Sequence, residues 1–411
     1  MPLVPPLAVL LVVAALLAVR RVRGRTLPAW AVALAGALLV VATGGITPAG
    51  AVAGVDWGVL ATLASLFVVG TGLGRSRLAD EALARLDRLP LSIPVLGALL
   101  GGIAVFAALV TNDAVAVVGA PFLVRLARRR GLSPEPLLLL LMAGVTTGAV
   151  PSPLGSPQNL LIAASPELGS PFTTFLFYLG PPTLAGLAAV LILLRLVYPG
   201  LFRASPSAEP AALPVSGDPR RDLPVLLSLL VLGSLVLAGI AAGLGGGLSP
   251  LPPLAVALAA ATPLLLLGPD RRELAAGIDW RTLLLFVGLF VMTAGVRGSG
   301  LVEASFGAAT GSTAVLMAAA VIGSQVVSNV PLVAIALPFV EPHGVTALMA
   351  LAAGSTIAGH LTLLGAVSNL IVVESEGRLG ATVRTRAFTG IGLVLVLVQG
   401  LCYWAWLTLV G

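Results

Sequence analysis

The chain has 411 residues, 58% of them hydrophobic and only 10% charged, with a formal net charge of +6. A soluble globule carries about a quarter charged residues, so this composition excludes one. Ten or more apolar runs, each long enough to cross a hydrocarbon core of ~30 Å, predict an all-α polytopic membrane protein. The runs are continuous rather than alternating, which excludes a β-barrel. Every basic residue is Arg, and the arginines cluster in short stretches between apolar runs. That is a topology signal, so a lipid bilayer rather than nucleic acid is the expected partner. The only cysteine, Cys402, lies in the last apolar run and can form no intrachain disulfide.

The first predicted span, 5–20, is followed rather than preceded by its arginines (Arg20, Arg21, Arg23 and Arg25). A cleavable signal peptide has the reverse order, so a retained span with its N-terminus outside is expected. Spans at 28–46 and 57–74 follow, then an amphipathic stretch in which Arg75, Arg77, Arg85 and Arg88 alternate with Asp80, Glu81 and Asp87. The apolar segment 92–126 is interrupted by Thr111-Asn112-Asp113. Only about a dozen residues separate this triplet from Arg125, a reach of about 18 Å at 1.5 Å per residue, too short to span. A re-entrant hairpin is predicted. Residues 137–165 are broken by Pro151, Pro153, Gly155 and Pro157 into a discontinuous helix, and 172–198 form another span. A Pro-, Ser- and Ala-rich stretch at 200–222 reads as a solvated cytoplasmic linker.

The remainder repeats the plan. Spans are expected at 223–244, 251–268 and 280–297, a hairpin at 313–340 with Ser328-Asn329 at its tip, an interrupted helix at 345–373 and a last span at 388–410. Asp56-Trp57 matches Asp279-Trp280 at an offset of 223, and Asn112 and Pro121-Phe122 match Asn329 and Pro338-Phe339 at 217. Thr146, Gly155 and Asn159-Leu160 match Thr356, Gly365 and Asn369-Leu370 at 210. The first repeat is thus 1–199 and the second 223–411. Each holds five spans and a hairpin, so an odd span count requires the second repeat to be inverted. With both termini outside, all arginines except Arg297 fall on cytoplasmic loops, as the positive-inside rule demands.

Inverted repeats, broken helices and midplane polar groups together mark a secondary transporter. Non-helical backbone is tolerated in a membrane only where it is buried or lines a cavity. Hairpin tips and helix breaks offer carbonyl oxygens to cations and helix N-termini to anions. Candidate ligands are Thr111, Asn112, Asp113, Gly155, Ser156, Gln158 and Asn159 from the first half, and Ser328, Asn329, Gly365, Ser368 and Asn369 from the second. Their amide and hydroxyl oxygens suit Na⁺, and their donors suit an oxyanion. Asn112, Asp113 and Asn159 are the expected Na⁺ ligands. No transition metal or cofactor is expected, and Na⁺ or H⁺ is the expected coupling ion.

The runs Asn112-Asp113-Ala114, Gly155-Ser156-Pro157-Gln158-Asn159, Ser328-Asn329-Val330-Pro331 and 353–374 resemble the ion transporter superfamily, in its branch of arsenite permeases, sodium/proton antiporters and anion permeases. The resemblance covers nearly the whole chain. It implies a scaffold domain and a mobile domain that moves elevator-fashion, with ion-coupled movement of a small anion or oxyanion, or arsenite efflux. Related folds are often homodimers. Dicarboxylate symporters of similar fold carry Ser-Asn-Thr at both hairpin tips, where this chain has Asp113 and Val330 in the third positions. His360 stands where similar proteins often have Asn, and Thr362 follows it closely.

Each residue also has a plainer reading. Asp113 could cap the leg that follows it, and the four asparagines could close helix breaks without holding a ligand. His360 is either a proton-titrating group or a neutral substitute for an amide. Asp56-Trp57 and Asp279-Trp280 are read as anchors and N-caps. An intramembrane enzyme is disfavoured: there is no His-Glu-x-x-His helix, and Asp113 has no evident midplane acidic partner. The expected function is therefore a permease of the cell membrane for a small anion. A sodium/proton antiporter is the alternative, and a dicarboxylate symporter a remote one.

Overall fold

Helix breaks fall where proline, glycine and buried polar residues interrupt the apolar runs. The computed structural model describes residues 12–13, 21–22, 25–26, 28–205, 218–245, 249–296, 311–363, 366–379 and 382–411. Most of the expected span 5–20, most of the linker, Arg297 and Gly365 lie outside the described residues. Among the described residues the fold is helical apart from a two-residue antiparallel pair, Arg21–Val22 with Arg25–Thr26. Among the described residues, six helices are long and apolar enough to cross a membrane, and shorter apolar helices accompany them. This is a multi-pass membrane protein.

In the first half, α1 (Ala29–Ala42), α2 (Pro48–Ala53) and α3 (Trp57–Arg75) precede the amphipathic α4 (Leu78–Asp87). The first hairpin is α5 (Ile93–Val110) and α6 (Asn112–Arg129). The broken helix is α7 (Glu135–Ala149) and α8 (Pro157–Ala163), and α9 (Pro171–Val197) closes the half. The second half runs α10 (Asp222–Gly243), α11 (Pro253–Leu267), α12 (Arg271–Ala276) and α13 (Trp280–Val296). Its hairpin is α14 (Thr313–Val327) and α15 (Asn329–Val340), its broken helix α16 (Gly344–Ile357) and α17 (Val367–Leu379), and its last helix α18 (Thr385–Val410). One boundary moves: α6 is helical to Arg129. At 18 residues it matches the length of α5, and its final turns carry the arginines.

The packing pairs the two halves. Helix α1 packs on α13, and its counterpart α11 packs on α3. Within each half the first hairpin leg lies against the first part of the broken helix, α5 on α7 and α14 on α16. The second legs cross over, α6 packing on α17 and α15 on α8, while α9 packs on α18. Small residues allow the close approaches. A Cβ on Gly144 would lie 2.9 Å from side-chain atoms of Leu100 and Ile103. One on Gly354 would lie 2.8 Å from the Met317 carbonyl oxygen and 2.9 Å from the Ala320 Cβ, the equivalent positions in the other hairpin.

At the arginine-rich end, α4 is tied to the end of α6. Arg125 pairs with Asp80 at 3.0 Å, and Arg129 and Arg130 approach Asp87 at 2.9 and 3.6 Å. The Arg130 guanidinium also donates to the Leu86 and Leu89 carbonyls. The Asp87 side chain is only 1% exposed, so Asp87→Ala strands partly buried guanidinium charge. The expected cost is about 3 kcal/mol, measured as a lower unfolding midpoint of the purified protein in detergent.

Candidate substrate and ion site

Both hairpin tips force a polar, non-glycine residue into the left-handed half of backbone space. Thr111 has φ 97° and ψ 144°, and Ser328 has φ 75° and ψ 161°; no other described non-glycine residue has positive φ. Such conformations cost on the order of 1–3 kcal/mol each and persist only where the surroundings over-determine them. Thr111 Oγ1 accepts from the Ala114 N–H at 3.4 Å, so Thr111 rather than Asp113 caps α6. The capping role open to Asp113 from sequence is therefore taken by its neighbour, and the carboxylate is left for other work.

The breaks are held by two asparagines in the same way. Asn159 Nδ2 donates to the carbonyls of Ala149 (3.0 Å), Val150 (3.3 Å) and Ser152 (3.0 Å). Asn369 Nδ2 donates to Gly359 (2.7 Å) and Thr362 (3.4 Å). Residues 149 and 152 become 359 and 362 at the offset of 210, so the two halves share one hydrogen-bond pattern. Each amide satisfies carbonyls that the end of the preceding helix leaves without an intrahelical partner. Ser156 caps α8, accepting from the Asn159 N–H at 3.4 Å, and the Gly155 carbonyl accepts from the Asn112 N–H at 2.8 Å. A Cβ on Gly155 would fall 2.1 Å from the Ala149 carbonyl oxygen, so only glycine fits there.

These elements enclose a cavity of about 80 Å³. Its lining includes Asn112, Asp113, Gln158, Ser328 and Asn329 from the expected residues, with Pro157, Val330, Pro331, Ala366 and Val367. Four helices, α6, α8, α15 and α17, begin at this wall, and each N-terminus carries roughly half a positive charge. The Asp113 side chain is half-buried and lines the cavity together with Ala366 and Val367 at the start of α17. Asp279 is near enough to act on it electrostatically, so Asp113 does have an acidic neighbour. Among the described residues, no Arg, Lys or His lines the cavity.

Other expected residues lie off the cavity. His360 is buried, with Nε2 3.3 Å from Thr147 Oγ1, which also accepts from Gln399 Nε2 at 3.0 Å. Its partners are neutral side chains, and it is not among the residues lining this cavity. Thr362 is exposed and donates to Gln325 Oε1 at 2.9 Å, while Gln325 Nε2 donates to the Ala358 carbonyl at 2.8 Å. Sequence reasoning missed Gln325. It also missed the wall supplied by α13, where Thr282, Leu285 and Phe286 line the cavity. Thr356 links the halves, donating to Asn159 Oδ1 at 3.2 Å and accepting from Gln158 Nε2 at 3.4 Å. Its repeat match with Thr146 was the available signal.

Larger cavities lie elsewhere. One of about 330 Å³ is lined by Arg75, Arg125 and Arg221 together with Asp80, Asp218 and Glu273. Its arginines are committed to ion pairs, Arg125 with Asp80 and both Arg75 and Arg221 with Glu273.

Known proteins are similar to this chain in sequence or in fold. An uncharacterised transporter of Mycobacterium tuberculosis is 29% identical over 373 residues, 84% of each chain. The silicon efflux transporter LSI3 of Oryza sativa is 37% identical over 95 residues, 23% of this chain and 19% of its own. The crystal structure of the Alcanivorax borkumensis YdaH transporter superposes with a TM-score of 0.60 over 98% of each chain at 17% identity, a likeness of fold. The family model described as citrate transporter (CitMHS) matches residues 9–344. The chain belongs to the citrate transporter family.

Proposed function

We propose that this transporter is a secondary-active, ion-coupled permease for a small anion or oxyanion, bound in the cavity between the hairpin tips and the helix breaks. The convergence of four helix N-termini on a cavity that also holds a carboxylate carries this reading. The N-termini favour negative charge, whereas Asp113 opposes it. At about 5 Å and an effective dielectric of about 20, two like unit charges repel by about 3 kcal/mol. An anion entering a site with a carboxylate and no basic side chain must therefore bring a cation, which makes coupling to Na⁺ or H⁺ a requirement of the site. Asn112, Asp113 and Asn159 are the Na⁺ ligands in this proposal, although the Asn159 amide already serves the break.

Alternating access follows the elevator scheme, with the hairpins and broken helices moving against a scaffold of the remaining spans. In this scheme the halves are inverted, both termini lie outside the cell membrane, and the working unit is a homodimer. The family description points to citrate and the rice relative's name to silicon. A cavity with room for a few water molecules favours the smaller cargo, since a tricarboxylate would require it to open.

Purified protein in proteoliposomes tests the proposal. Oxyanion uptake that rises with an imposed sodium or proton gradient is expected. Collapse of a pH gradient by sodium alone, with no response to any anion, identifies a sodium/proton antiporter instead. For the topology, cysteines at 128 and 342 label from opposite sides of the membrane; labelling from one side contradicts the inverted arrangement.

A further inference from the structure

The α13 wall of the cavity has an unusual hydrogen-bond economy. Asp279 caps α13 in the ordinary way, its Oδ1 accepting from the N–H groups of Arg281 (3.1 Å) and Thr282 (3.2 Å). Its second oxygen accepts from Thr282 Oγ1 at 2.6 Å. A threonine hydroxyl has one hydrogen to donate. With that hydrogen committed to Asp279, Thr282 Oγ1 offers the cavity lone pairs only. Capping does not require this hydroxyl. In the first half, Asp56 accepts from the Val59 N–H at 2.9 Å, and residue 59, the counterpart of 282 at the offset of 223, is a valine.

The opposite walls are also rich in acceptors. Asn112 Oδ1 and Asn329 Oδ1 are buried and unpartnered, both belong to cavity-lining residues, and Asp113 adds a carboxylate. Unsatisfied buried acceptors call for a donor or a cation. Charged groups near this wall are few. Among the helices packed on α13, α1, α2 and α15 bring no charged side chain, and α3 brings Arg75, paired with Glu273. Asp113 on α6 is the charge across the cavity, and the Arg281 side chain is exposed.

We infer that Thr282, its proton held by Asp279, is a specificity-determining residue that selects oxyanions still carrying an O–H over fully deprotonated ones. A hydroxyl-bearing oxyacid can donate to Thr282 Oγ1. Bare sulfate presents only lone pairs and meets acceptor against acceptor. Sites built to bond a cargo hydroxyl reject analogues lacking it strongly, because their polar groups are then left unpaired. The inference rests on the proposal that an oxyanion binds in this cavity.

Oxyanions of similar size and shape make the test. Phosphate and arsenate keep O–H groups at pH 6, whereas sulfate and selenate do not. Affinities are measured on detergent-purified full-length protein by thermal shift and by competition for proteoliposome uptake. The wild-type protein is expected to prefer the protonated pair by about tenfold or more. Thr282→Val removes that preference, and Thr282→Ser restores it. Sulfate bound as well as phosphate by the wild type, or a preference unchanged in Thr282→Val, overturns the inference and leaves oxyanion transport standing. Failure of all four anions to bind or move overturns both.

Discussion

Asp113→Asn abolishes ion-coupled transport in proteoliposomes while the protein inserts, purifies and melts as the wild type does. Asparagine keeps the size and one acceptor oxygen but removes the only charged side chain that lines the cavity among the described residues. A unit cation about 4 Å from a carboxylate gains about 4 kcal/mol at an effective dielectric of about 20. That is roughly a thousandfold in cation affinity. Because Thr111 supplies the cap of α6, the substitution leaves the hairpin tip intact, so the loss is functional rather than structural. Full gradient-driven uptake by Asp113→Asn would show that the coupling ion binds elsewhere.

Asn159→Leu has the largest expected effect on folding. It deprives the carbonyls of Ala149 and Val150 of the Asn159 donor, leaves the Ser152 carbonyl with the Gly155 N–H alone, and takes from Thr356 its acceptor. Each unsatisfied buried group costs about 1–3 kcal/mol, so a total of about 4 kcal/mol or more is expected, a large fraction of a typical domain's stability. The variant should be recovered in little monodisperse form by fluorescence-detected size exclusion. Asn369→Leu, which frees two carbonyls but leaves no hydroxyl without its acceptor, should be milder. Equal recovery of Asn159→Leu and wild type would mean that water replaces the amide.

Much of this architecture was legible because breaks in an apolar run need residues that satisfy backbone groups. Pro151, Pro153, Gly155 and Pro157 announced one break, and the paired asparagines announced the hairpin tips and both breaks. The carbonyl targets of Asn159 and Asn369 were not legible, since a side-chain bond across ten residues leaves no periodic trace. Nor was the strain at Thr111 and Ser328, because neither residue type signals positive φ as glycine does. The surroundings of His360 were not legible for a related reason: closeness to the break in sequence does not say which way a ring points, and this one turns toward Thr147 on α7. Thr282 has valine as its repeat counterpart, so repeat matching passed over it. Only the packing of α13 against the hairpin tips brings it into view.

The most direct test of the site is a cryo-electron microscopy map of the protein in lipid nanodiscs with a saturating concentration of a transported oxyanion. Density for the anion is expected among Asn112, Asp113, Gln158, Ser328 and Asn329, within reach of the first turns of α6, α8, α15 and α17. Density instead among Arg75, Arg125 and Arg221, with the hairpin cavity containing only water, would contradict the account.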